Sequence, residues 1–180
     1  ARWNDQNTVE EEVHEARIAD WVSPLKEAAE GGRVVGLDWA LQPNTGSLAG
    51  LRDLRGYDLP VSTDTQRLMA ALNPRPRGPW YPIERAPSPE LQQWLGLRVV
   101  AAFPAQADAM AAQLPDWRRL SLPASAPLVA FADPEPPPMA WLSSGATPAT
   151  SPDRALQLGL QSVRSSGAVP VEGQVEAMRQ

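Results

Sequence analysis

Twenty prolines in 180 residues set the scale of everything this chain can build. A proline removes a backbone donor and clashes with the preceding helical turn, so neither a long helix nor a central strand runs where prolines gather. Six fall in residues 73–89, and four more in Asp133-Pro134-Glu135-Pro136-Pro137-Pro138. Both stretches read as ordered loops, which confines regular structure to short segments between them.

Those segments alternate in type. Thr8-Val9-Glu10-Glu11 has the form of a capping box, and Val9, Val13, Ala16 and Ile18 recur near helical spacing. Ser23-Pro24 then reads as a new cap, and Gly31-Gly32 as a stop, so residues 1–32 are expected to form two helical pieces with a kink near Pro24. Residues 33–37 are a short apolar run and a predicted buried strand. Pro43-Asn44-Thr45 offers a turn and a cap for a short helix through Leu51. Thr63 opens a better helix through Leu72, with Leu68, Met69 and Leu72 on one face. Ser88-Pro89 starts a helical turn carrying Leu91, Trp94 and Leu95, closed by Gly96.

The strongest strand signal is LRVVAAF, residues 97–103, followed by an Ala-rich helix over 104–114. Residues 117–122 alternate weakly, and PLVAFA at 127–132 is a second clear strand. Short strands are expected at 139–142 and 168–171, and a last helix from Ser151-Pro152-Asp153 through Arg164. Alternating helices and apolar strands predict an α/β fold: a mixed, mostly parallel sheet flanked by short helices, with long Pro-rich loops. The expected organisation is an N-terminal helical segment at 1–32, one α/β domain at 33–172 and a tail at 173–180.

An apolar fraction of 43% supports a packed core, while a net charge of -5 argues against a nucleic-acid partner, which needs a basic face. With no cysteine, disulfides and thiolate metal sites are excluded. The one histidine, His14, lies among Glu11, Glu12 and Glu15 with no second His or Cys to complete a site, so no metal or cofactor is expected. No nucleophile elbow and no Gly-rich phosphate loop occurs. No apolar run reaches the roughly 18 residues of a membrane span. A start at Ala1 rather than Met is expected of a processed protein or of an excised portion of a longer one, and the excised portion is the preferred reading.

The densest chemistry lies in RVVGLDWALQPNTGSLAGLRDLRGYD, residues 33–58. Asp38, Asp53, Asp58 and Asp64 could supply the paired carboxylates of glycoside chemistry. With Arg52 and Arg55 so close, mutual ion pairs that fix a loop are the simpler reading, and no catalytic residue is assigned. If the block instead faces a sugar or phosphate, the residues expected to meet it are Trp39, Asn44, Arg52, Asp53, Arg55 and Asp58. Among seven tryptophans, Trp21, Trp94 and Trp141 sit in apolar patterns and are expected in the core. Trp39 and Trp80 lie in turn-rich segments and suit a partner surface.

The same block resembles the extracytoplasmic region of YfhO-like bacterial membrane proteins, polytopic proteins grouped with the GT-C glycosyltransferases. Gly50, Leu51, Asp53, Arg55, Gly56, Tyr57 and Asp58 match the family's G-L-x-D-x-R-G-Y-D stretch in register. LQQWLGLRVVAAF (91–103) and PLVAFADPEPPPMAWLSS (127–144) are similar to its later strands, although Pro138-Met139-Ala140 replaces a typical P-R-A and loses an arginine. The resemblance implies a non-catalytic domain on the extracytoplasmic face of the membrane, shaping an acceptor site or holding a partner. The catalytic centre would then lie in the transmembrane portion of the same protein. Its implied partners are that transmembrane portion and a lipid-linked sugar or cell-envelope glycan. The alternative is a free-standing secreted binding protein for a small or sugar-like ligand, and a third class, a soluble hydrolase or transferase, requires two of the four aspartates in one cleft.

Overall fold

The computed structural model describes residues 11–41, 46, 49–55, 63–72, 83–136 and 148–165. They form five helices and a five-stranded sheet. In chain order these are α1 Glu11–Ala29, β1 Arg33–Gly36, β2 Arg52–Asp53, α2 Thr63–Leu72, α3 Pro89–Leu95 and β3 Leu97–Ala102. A 3-10 turn at Pro104–Gln106 then leads into α4 Ala107–Gln113, β4 Arg118–Arg119, β5 Val129–Ala132 and α5 Pro152–Ser165. The sheet order is β2-β1-β3-β5-β4. β1 pairs in parallel with both β2 and β3, whereas β5 pairs antiparallel with β3 and β4. The expected mixed α/β sheet is therefore present, parallel at one end and antiparallel at the other.

The central strands are covered on both faces, which is why they read as continuous apolar runs. Val35, Leu37, Val100, Ala102, Val129 and Phe131 face one cluster with Leu91 and Leu95 of α3 and Met110 of α4. Val34, Val99, Ala101, Ala130 and Ala132 face a second cluster with Trp21, Val22 and Leu25 of α1. The register shifts between Arg33 and Val34, where Arg33 pairs with Leu97 but Val34 pairs with Val99. A one-residue skip of this kind exchanges the faces of the side chains on either side of it. It is what lets Leu97 and Val100, three apart, share the first cluster.

Two local readings are corrected. α1 runs through Pro24 as a single helix rather than breaking there. Its buried stripe of Trp21, Val22, Leu25 and Ala29 spans the proline at helical spacing. Burying a side chain of Leu size contributes about 1.5–3 kcal/mol, so the stripe as a whole outweighs a helix-interior proline's cost of about 3 kcal/mol. The second correction is β2, at Arg52–Asp53, where the sequence offered only a helix end and a charged cluster. Two exposed or half-buried polar residues carry no strand periodicity; pairing with β1 alone defines this strand.

Other expectations hold. Ser88 caps α3, its Oγ accepting from the Leu91 N–H at 3.4 Å with Pro89 at the first helical position. Gly96 closes that helix at φ 60°, the left-handed conformation that glycine adopts without strain. Trp21 is buried and Trp94 is half-buried against the first cluster. The predicted strands at 139–142 and 168–171, the tail at 173–180, the Thr8 capping box, Trp80 and Trp141 lie outside the described residues.

Candidate functional site

β1, β2 and β3 run in parallel, and the chain leaves β1 first to one side and later returns to the other. In open α/β sheets the crevice at the carboxyl ends of such strands is the usual ligand-binding location. Here that end is built by three segments: residues 37–41 after β1, residues 54 and 55 after β2, and residues 103–106 after β3.

Arg55 is the centre of the construction. The side chain is 4% exposed and pairs at 3.0 Å with the Asp53 carboxylate, whose side chain is 3% exposed although the residue as a whole is half-buried. Its Nε also donates to Asp53 Oδ1 at 3.1 Å, and its backbone N–H donates to the same oxygen at 2.8 Å. The remaining guanidinium N–H groups reach across to the loop after β1, donating to the Asp38 carbonyl at 3.0 Å and to the Leu41 carbonyl. A rigid five-donor fork suits this task, since it satisfies a buried carboxylate and two carbonyls at once. Gly36 leaves the room: a Cβ there would come within 2.5 Å of Leu41 Cβ and 2.8 Å of the Arg55 guanidinium.

The clamped loop is shaped around Asp38, which has φ 49°, a left-handed conformation that Asp tolerates better than most residues. Its backbone N–H donates to the Ile83 carbonyl at 2.9 Å, and Leu37 bridges Ile83 in parallel, so residue 83 continues the sheet beyond the end of β2. Its carboxylate accepts from Gln106 Nε2 at 2.6 Å, while Gln106 Oε1 accepts from the Phe103 N–H at 3.0 Å. One amide thus ties the ends of β1 and β3 together. Just beyond these ties stand the two large apolar side chains most open to solvent among the described residues, Trp39 at 46% and Phe103 at 38%.

The sequence-predicted site residues therefore separate. Asp53 and Arg55 are brought together, but buried and facing each other. Trp39 is exposed. Arg52 is exposed on the edge strand β2. Asn44 and Asp58 lie outside the described residues, and the side chain of Asp64 is likewise outside them. Both Asp53 oxygens accept hydrogen bonds from Arg55. Sequence reasoning missed Phe103 and Gln106; the available signal was their place at the end of the strongest predicted strand and just beyond it, where an α/β sheet presents its ligand-facing loops.

Among the described residues, no group of three His, Asp or Glu side chains could hold a metal ion, and no helix is long and apolar enough to cross a membrane. No family model, no curated protein and no solved structure matches the chain.

Proposed function

We propose that this chain is a non-catalytic holding domain, whose binding surface is the aromatic lip formed by Trp39 and Phe103. The carrying observation is the direction of the polar groups. Arg55, the best-placed donor in the sequence, is turned inward onto Asp53 and two carbonyls, while Trp39 beside it is turned out. Preorganised loops with an outward aromatic are suited to gripping a partner, because a rigid ring loses little conformational entropy on contact.

Following the resemblance carried by residues 33–58, the domain is proposed to sit on the extracytoplasmic face of a polytopic, GT-C-related membrane protein. Its partners would be that protein's transmembrane portion and a lipid-linked sugar or cell-envelope glycan. The exposure of Trp39 equally suits the secreted binding protein, and one experiment separates the two. In the full-length gene product, Trp39→Ala combined with Phe103→Ala is expected to keep the melting temperature within about 2 °C, because exposed side chains contribute little to stability. The same variant is expected to lose at least tenfold in whole-protein activity or in cross-linking to the membrane portion. Unchanged activity and cross-linking would refute the holding role. A gene with no hydrophobic segments on either side would transfer the surface to a free-standing binder.

A further inference from the structure

Gln106 is half-buried in the turn that follows β3, and both ends of its side-chain amide are used. Its Oε1 accepts from the Phe103 N–H at 3.0 Å, and its backbone N–H donates to the Phe103 carbonyl at 2.8 Å. One residue thus takes both backbone polar groups of Phe103. Pro104 adds a further constraint, holding the residue before it extended at φ -67° and ψ 150°. In the other direction, Gln106 Nε2 donates to Asp38 Oδ2 at 2.6 Å. The amide has one possible orientation, because a backbone N–H can only donate and so must face Oε1.

Asp38 is the residue from which Trp39 departs. Its φ of 49° is a conformation that non-glycine residues keep only where their surroundings impose it. Three segments impose it here. The Ile83 carbonyl accepts from the Asp38 N–H at 2.9 Å, Arg55 donates to the Asp38 carbonyl at 3.0 Å, and Gln106 holds the carboxylate. Of the three, Gln106 is the one that also holds Phe103.

We infer that Gln106 is the positioning residue of the aromatic lip: its amide bridges Asp38 and Phe103, and so fixes where Trp39 leaves the backbone relative to Phe103. The inference rests on the reading of that lip as the binding surface. A partner that meets both rings finds them preorganised, since the ordering that would oppose contact is completed during folding. The role demands a donor and an acceptor on one side chain of this length. Glutamate accepts from the Phe103 N–H but presents a like charge to Asp38, leucine does neither, and asparagine is one methylene shorter.

The test compares Gln106→Glu with a polarity exchange, Gln106→Glu together with Asp38→Asn, in which an amide at position 38 donates to a carboxylate at position 106. Backbone N–H order parameters at Trp39 and Phe103 in the 180-residue chain are expected to be about 0.85, to fall below about 0.6 in Gln106→Glu and to recover in the exchange. In the full-length gene product, well below the melting temperature of each variant, Gln106→Glu is expected to lower cross-linking to the membrane portion by about threefold to tenfold. That is the scale of ordering one side chain on contact, and the exchange is expected to restore it. A general loss of stability would not be reversed by swapping donor and acceptor. Unchanged order parameters in Gln106→Glu, or a loss that the exchange does not reverse, would overturn the inference. So would intact cross-linking in Gln106→Glu beside lost cross-linking in Trp39→Ala with Phe103→Ala, an outcome that leaves the holding role standing. Intact cross-linking in both removes the holding role and the inference with it.

Discussion

Arg55 shows how a single side chain can hold two strand ends together, and what its loss would leave behind sets its energetic weight. With the guanidinium gone, the Asp53 carboxylate stays buried without its partner, and the carbonyls of Asp38 and Leu41 lose their donors. Breaking a buried ion pair by removing one member typically destabilises by about 3–5 kcal/mol. Arg55→Ala is therefore expected to lower the unfolding free energy by that amount, read as a lower denaturant midpoint at unchanged slope, with Arg55→Lys recovering only part of it because an ammonium cannot reach three acceptors on two segments. A variant with an unchanged unfolding curve would return Arg55 to the role of a ligand donor. In the sequence, the Arg/Asp cluster was legible as an ion-pair network, and the ordering of a loop was expected of it. Its partners in that loop were not legible. Asp38 and Leu41 take part through their carbonyls, and a backbone acceptor leaves no trace in residue identity. Gln106 was hidden for a related reason, since its contact with Asp38 joins residues far apart in the chain.

At the scale of elements, local chemistry marks boundaries well wherever it closes on itself. The Ser88 cap, the proline after it and Gly96 specify α3 within a dozen residues, and all three act as the sequence predicts. Gly96→Ala should cost about 1–2 kcal/mol by forcing a Cβ into a left-handed conformation, read as a lowered unfolding midpoint with unchanged slope; no loss would mean that the helix ends elsewhere. α1 shows the limit of such signals. Ser23-Pro24 is a sound local stop, but Trp21, Val22, Leu25 and Ala29 bury one stripe across it, and burial prevails. β2 shows the opposite limit, a strand two residues long whose existence depends on its neighbour.

For the molecule as a whole, the layer architecture followed from the spacing of apolar runs, because each of the buried strands β1, β3 and β5 must be covered on both faces. Strand order did not follow, since nothing in the residues 33–36 names residues 97–101 as their neighbours. The pairing makes the domain depend on late-arriving parts. A chain ended at residue 128 lacks β5 and α5, leaves one edge of β3 open and removes Val129 and Phe131 from the first core cluster and Ala130 and Ala132 from the second. It is expected to give no cooperative thermal transition, and a sharp two-state melt from that truncation would show that the first three strands stand alone.

The position of β1 between β2 and β3 also bears on how the protein is made. Roughly sixty residues separate Arg33 from its partner Leu97, and at about 5–20 residues per second of synthesis they take several seconds to follow it off the ribosome. Throughout that interval Val34 and Val35 form part of an apolar strand with one edge waiting, and unpaired edges of this kind recruit other chains. The period of greatest danger for this domain is therefore its own translation, when the strand destined for the middle of the sheet is still at the margin.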